Sequence, residues 1–153
     1  MSFDITTPVR AATEDDIDAL VGMAMRFQQD MFSAHLFATP ESFRALATTL
    51  IASPISEVFV DERGGVLVGM LGVSLYHQSM SRELIGSELC WWVEPEARGG
   101  LGGIRLLRHA EQWARLQGAV AFQMGAPTPA IGEFYERIGY TRIETIYQKR
   151  FAA

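Results

Sequence analysis

S-E-L-C-W-W-V-E-P-E-A-R-G-G-L-G-G-I-R-L-L-R-H-A-E-Q-W-A, residues 87–114, reads as strand, glycine loop and helix in immediate succession. The stretch Leu84–Val93 is rich in large apolar and aromatic residues, the composition of a buried strand. Pro95 ends it, because proline cannot donate to a ladder. Arg98, Gly99, Gly100, Leu101, Gly102 and Gly103 follow, and then Leu106, Leu107, Ala110, Trp113 and Ala114 recur at helical spacing. Glycines just before a helix let the backbone approach a ligand closely. The free N–H groups of the first turn and the helix dipole then favour an anion, typically a phosphate. A turn without a ligand would use the same glycines. Two named phosphate motifs are excluded. There is no Gly-Lys-Ser/Thr ending, as a Walker loop requires. The spacing also misses G-x-G-x-x-G, and no acidic strand end follows to take a ribose.

Upstream, residues 8–12 form a short candidate strand, and Thr13-Glu-Asp-Asp16 a capping box. Ile17, Leu20, Val21, Ala24, Phe27 and Met31 place an amphipathic helix over Asp15–Met31. Residues 32–39 are irregular and contain His35. Thr39-Pro40 opens a second helix, with threonine as cap and proline at the first helical position. Glu57–Asp61 and Val66–Tyr76 read as strands joined by the turn signal Glu62-Arg-Gly-Gly65. His77–Glu83 is a polar crossover to the central strand. Downstream, Ala119–Gly125 reads as a strand, Thr128-Pro129 starts a short helix that Gly139 stops, and Thr141–Phe151 is the last strand. The order β-α-α-β-β-β-α-β-α-β predicts an α/β chain with a central sheet covered by helices.

The whole chain sets bounds. At 153 residues it is expected to be one domain, residues 1–153, large enough to bury a substantial core. With 48% hydrophobic and 20% charged residues its composition is that of a soluble globule. A net charge of -5 gives no footprint for nucleic acid and slightly favours cationic partners through steering. A single cysteine, Cys90, cannot form an internal disulfide, which fits a reducing, cytoplasmic compartment. Its apolar strand makes it a buried, inert thiol. The N-terminus has no basic segment followed by an apolar run, so no signal peptide is expected, and the longest apolar runs are far short of a membrane span. No metal site is expected.

V-E-P-E-A-R-G-G-L-G-G-I-R-L-L resembles the acyl-CoA loop of the GNAT-type N-acetyltransferases, V-x-P-x-x-R/Q-G-x-G-x-G/A-x-x-L-L. Val93, Pro95, Arg98, Gly99, Gly103, Leu106 and Leu107 are in register with no gap, and the R-G-G form is closest to phage-type and bacterial members. Leu101 departs from the pattern, which has glycine there. E-F-Y-E-R-I-G-Y, residues 133–140, is similar to the family's F-Y-E-K-L-G-F signature. The resemblance covers roughly the second half of the chain. It implies a mixed, largely antiparallel sheet flanked by helices, and acetyl-CoA as acyl donor. Val93 would give backbone hydrogen bonds to the pantetheine. Arg98, Gly99, Gly100, Leu101, Gly102 and Gly103 would cradle the pyrophosphate. Thr128 stands where the family often has asparagine, and a capping role accounts for it.

The implied activity is N-acetyltransfer to a primary amine by direct attack in a ternary complex. The alternative is a GNAT-like module that binds acyl-CoA or a protein without catalysis. Tyr135 matches by position the tyrosine facing the thioester sulfur, and a phenol holds its proton at neutral pH, so it can donate. Glu88 is the candidate base: a carboxylate in an apolar strand needs a partner, water or a function. Five strand residues separate it from Val93, about 17 Å, the scale of an extended pantetheine arm. Strict alternation would place Glu88 and Val93 on opposite faces, and a bulge would change that. Glu57, His35 and His77 are weaker candidates. The acceptor is a small-molecule or peptide amine bordered by residues 31–40, and self-association as a homodimer stays open.

Overall fold

The structure, a computed structural model, describes residues 8–31 and 38–152. His35 lies outside the described residues, as does most of the segment expected to border the acceptor.

Among the described residues five strands form one sheet in the order β1-β2-β3-β4-β5: β1 (Val9–Ala11), β2 (Ser56–Arg63), β3 (Val66–His77), β4 (Leu84–Val93) and β5 (Ala121–Gln123). The first four pair antiparallel, and β5 runs parallel to β4. A parallel pair needs a crossover. Helix α3 (Gly102–Leu116) supplies it. On the opposite face lie α1 (Ile17–Met31) and α2 (Pro40–Ala52). The last helix, α4 (Pro129–Arg137), follows β5.

Side-chain alternation splits the core into two layers. Leu20, Met23, Leu50, Val60, Met70 and Trp92 pack under α1 and α2. Phe59, Leu71, Val73, Leu106, Leu107 and Ala110 pack under α3. Leu106, Leu107 and Ala110 are completely buried. Each of the two leucines contributes about 1.5–3 kcal/mol by burial, which fixes the face α3 presents to the sheet.

Caps follow the sequence reading. The Ser42 N–H donates to Thr39 Oγ1 at 3.1 Å, and the Ile131 N–H to Thr128 Oγ1 at 3.3 Å. The Thr13 N–H donates to Asp16 Oδ2 at 2.7 Å, and Arg10 clamps the same carboxylate. That clamp holds Asp16 below its ordinary pKa, the Arg10 hydrogen bond outweighing burial. The first residues of the expected helix form a 3-10 turn, Glu14–Asp16.

Two connections differ from expectation. The polar stretch after β3 is a hairpin loop, because β3 and β4 are antiparallel neighbours. Residues 141–151 form no strand and are exposed throughout. Their composition suits a strand, but a strand exists only through a ladder, and none of these residues has a neighbouring strand. No helix among the described residues is long and apolar enough to cross a membrane.

Candidate active site

The site is built on a defect in β4. Gly72 pairs with Cys90, and Val73 pairs with Glu88, so Leu89 is an extra, unpaired residue. This bulge resets the alternation. Leu71 and Val73 belong to the α3 layer, and their partners Trp91 and Glu88 therefore share that face, as does Val93 opposite Gly69. Cys90 and Trp92 point to the other layer.

Beyond the bulge the sheet opens. Strand β4 pairs with β5 only from Ile85 to Ser87, so among the described residues the segment from Glu88 to Val93 is paired on its β3 side alone. Across the gap, the Gly125 N–H donates to Glu88 Oε2 at 3.2 Å. On the carbonyl side of the same residue, the Tyr135 hydroxyl donates to Gly125 O, also at 3.2 Å. Gly125 thus joins the candidate base and the candidate acid. Nothing in the sequence marked it for that role.

Burial pushes the Glu88 carboxyl up to about 7, and the Gly125 N–H offsets only part of that. Burial, then the Glu88 charge, raises Tyr135 well above the ordinary phenol value, so the hydroxyl holds its proton at neutral pH. Cys90 is pushed up to about 12 by burial and the Glu88 charge, which leaves the inert thiol the sequence suggested. Glu57 is raised by burial, but it pairs with Val73 from the far side of β3. His77 Nδ1 donates to the Arg82 carbonyl oxygen at 2.9 Å, across its own hairpin. Neither belongs to the Glu88 cluster.

Tyr135 stacks on Trp91 with ring centroids 6.1 Å apart and planes 19° apart. Trp91, Val93, Phe134, Arg98, Gly99, Gly100 and Gly103 are among the residues lining a cleft of about 190 Å³. Gly99 has φ +89, a backbone state glycine adopts without strain. A Cβ at Gly103 would lie 3.3 Å from Trp91 Cζ2, so the first turn of α3 sits against the indole. Arg98 Nε donates to Val93 O at 2.8 Å, and its guanidinium lies 4.6 Å over the Trp92 ring. Leu101 and Gly102 do not line this cleft. Leu101 is exposed, and Gly102 packs on the Asp61–Arg63 ion pair, where a Cβ would meet both side chains. The buried Trp91 and Trp92 Nε1–H groups have no hydrogen-bond partner among the described residues.

A larger cavity of about 540 Å³ lies at the start of α1, lined by Asp15, Asp16, Asp18, Arg26 and Glu62 among others. It shares no residue with the Glu88–Tyr135 cluster, and its Asp16 and Glu62 are paired with Arg10. The smaller cleft takes in the N-terminus of α3 at Gly103 and adjoins the Glu88–Tyr135 cluster through Trp91, whose ring stacks on Tyr135.

Comparison with known proteins decides the family. Residues 17–140 match the family model described as "Acetyltransferase (GNAT) family". The chain belongs to the GNAT acetyltransferases. A search of curated protein sequences gave no match. Among solved structures, a transcriptional regulator from Bacillus halodurans C-125 superposes with TM-score 0.78 at 22% identity, covering 95% of this chain and 99% of that one. A predicted acetyltransferase from Clostridium acetobutylicum, solved with acetyl-CoA, gives 0.79 at 14% identity, covering 93% and 94%. The aminoglycoside antibiotic 6'-N-acetyltransferase AAC(6')-IG from Acinetobacter haemolyticus gives 0.74 at 15% identity, covering 95% and 98%. At these identities the likeness establishes the GNAT fold: a mostly antiparallel sheet flanked by helices, as the sequence resemblance implied. Among the described residues, no group of His, Cys, Asp and Glu could hold a metal ion.

Proposed function

We propose that this GNAT protein transfers an acetyl group from acetyl-CoA to a primary amine by direct attack in a ternary complex. The observation that carries this reading is the bulge at Leu89. It puts Glu88 on the same face as Trp91 and Val93, and Gly125 ties it to Tyr135.

Acetyl-CoA would enter the gap between β4 and β5. Its pyrophosphate would meet Arg98, Gly99, Gly100 and Gly103, where backbone N–H groups and the α3 dipole favour an anion. The two Nη groups of Arg98 make no hydrogen bond among the described residues and add positive charge. The pantetheine would run along the β3-only part of β4 towards Glu88, with Val93 as the first backbone contact. Leu101 and Gly102 would shape this loop from behind.

In the reaction, the amine nitrogen forms a bond to the thioester carbon and the carbon–sulfur bond breaks. The amine must arrive uncharged. Glu88, poised near neutrality, accepts its proton, directly or through water. Tyr135 donates its phenolic proton to the departing sulfur. Holding donor and acceptor together supplies much of the remaining rate. The aminoglycoside acetyltransferase neighbour supports amines as the acceptor class.

The test is single-turnover acetyl transfer with a panel of primary amines, alongside thermal melting with acetyl-CoA. A ligand that binds only the folded state raises Tm. Saturable amine-dependent thioester consumption is expected. A Tm rise with no transfer to any amine would leave an acyl-CoA-binding module in its place. No rise at millimolar acetyl-CoA would remove the cofactor site as well.

A further inference from the structure

The face of the sheet away from α3 changes character at the bulge. Beneath α1 and α2 it is apolar, built from Val58, Val60, Met70 and Trp92. On the far side of Leu89 it becomes polar. Ser56 pairs with Ser74, Ser74 with Ser87, and Ser87 with Gln123, so four polar residues cross β2, β3, β4 and β5 side by side. Their neighbours fix the face they are on. Val73 and Phe122 belong to the α3 layer, and a Cβ at Gly86 would meet Ala114 of α3. Ser74, Gln123 and Ser87 are each one residue further on and point to the other side.

Only Ser56 is covered. It is buried, and its hydroxyl donates to Leu50 O in α2 at 2.9 Å. Ser74, Ser87 and Gln123 are half-buried. Tyr76, two residues beyond Ser74 on the same face, donates its hydroxyl to Gln123 Oε1 at 2.6 Å. That bond holds the carboxamide and leaves Gln123 Nε2 without a hydrogen bond among the described residues. The Ser74 hydroxyl has none there either, and Ser87 Oγ reaches only Glu88 O, at 3.5 Å.

This row is the floor of the gap between β4 and β5. Ser87 and Gln123 form the last rung of that ladder, and Glu88 is the next residue. On the α3 face Glu88 and Tyr135 converge on Gly125. An amine that gives its proton to Glu88 must bring its nitrogen into the gap. The rest of the molecule then leaves by the opposite face, over Ser87 and Gln123. The groups waiting there are two hydroxyls, a carboxamide and a phenol, with no charged side chain in the row. A second ammonium or a carboxylate would lose water there without meeting a counter-charge. A hydroxyl both donates and accepts, and so can pair with each of them. Ser74 and Gln123 are two strand spacings apart, about 10 Å, wide enough to meet more than one hydroxyl of a small molecule.

We propose that Ser74, Ser87 and Gln123, with Tyr76 bracing Gln123, select the acceptor as a small primary amine that bears hydroxyl groups and no second charge. The proposal rests on the acetyl-transfer reading, because it takes Glu88 as the base.

The test is steady-state acetyl transfer to matched amines, with rates referred to the free base. One pair is 2-aminoethanol and propylamine, the other 2-amino-1,3-propanediol and 3-aminopentane, with 1,4-diaminobutane and a short peptide of free α-amine alongside. The hydroxylated member of each pair should have the higher kcat/KM, by roughly tenfold for one well-placed hydrogen bond. Ser87→Ala and Gln123→Leu should each shrink that ratio, chiefly through KM. A ratio taken within one protein does not depend on how much of it is folded. In parallel, the side-chain amide resonances of Gln123 are followed in the wild type loaded with coenzyme A. They should shift with 2-amino-1,3-propanediol and stay in place with 3-aminopentane. Transfer without a preference for hydroxyls, or with the diamine or the peptide as the better acceptor, would overturn the proposal and leave acetyl transfer standing. So would a ratio indifferent to both substitutions, or a preference with no shift at Gln123. A Gln123 shift without transfer to any amine would remove the acetyl-transfer reading and keep the binding surface. Neither shift nor transfer would remove both.

Discussion

The two halves of β4 behave as different structures. Between Leu84 and Ser87 the strand is paired on both sides, and α3 and β5 press onto it. A Cβ at Gly86 would stand 2.8 Å from Ala114 Cβ and 2.9 Å from Phe122 Cδ2. From Glu88 to Val93 one side is unpaired among the described residues, and on the α3 face sit the raised carboxyl, the stacked Trp91–Tyr135 pair and the unpartnered Trp91 indole N–H. The closed half gives the helix and the sheet a fixed separation. The open half uses that rigidity to hold polar groups in a place where the strand ladder no longer satisfies them. One extra residue, Leu89, separates stability from chemistry within a single strand.

The sharpest way to break this contrast is Glu88→Gln. Removing a general base costs on the order of 10²–10⁴ in rate. Single-turnover transfer should fall accordingly with acetyl-CoA affinity kept. In the wild type the rate should climb as pH rises through about 7, where Glu88 loses its proton, and the variant should lose that limb. Stability should move the opposite way. The unfolded carboxyl ionises near its ordinary 4.5 and the folded one near 7, so wild-type stability is complete below 4.5 and declines as pH rises to 7. The decline is worth up to about 3 kcal/mol. Melting of Glu88→Gln across that window should be flatter than wild type. Parallel curves would mean Glu88 is already ionised in the folded protein.

Tyr135→Phe comes next. It keeps the ring on Trp91 and loses the hydroxyl, so the chemical step should slow by about 10², the low end for an acid, because a thiolate leaves tolerably by itself. A wild-type single-turnover rate in a protein of normal Tm would reduce Tyr135 to a packing residue.

In the closed half, Gly86→Ala should act on stability alone. Forcing a methyl group into the contact with Ala114 costs about 1–3 kcal/mol, read as a lower denaturation midpoint. Intact midpoint with impaired transfer would mean the two halves are not separable. The smallest effect is expected from Thr128→Ala, which deletes the cap of α4 and costs about 1 kcal/mol. Its rate should fall less than that of Tyr135→Phe, since the phenol remains.

Much of this was legible in the residues. The apolar run of β4, the glycines and the periodicity of Leu106, Leu107, Ala110 and Ala114 place strand, loop and α3 where they occur, because these signals are local. Thr39 and Thr128 announce their helices for the same reason. The last strand was misplaced because Ile143, Tyr147 and Phe151 report a preference for a ladder without naming a partner. The middle of the loop was only half legible: glycine at 102 is required by Asp61 and Arg63, which are distant in sequence.

The sequence by itself determined the elements as far as α4, a sheet covered by helices and, through two motifs, the family. Tertiary structure alone decided that Leu89 is the bulged residue, that Glu88 therefore turns to the face of Trp91, and that the peptide of Gly125 bridges Glu88 and Tyr135. The reason is physical. Helix periodicity and capping are properties of neighbouring residues, whereas a bulge is a mismatch between two strands. A raised carboxyl depends on everything that excludes water from it, and that set is assembled only when β4, β5 and α4 come together.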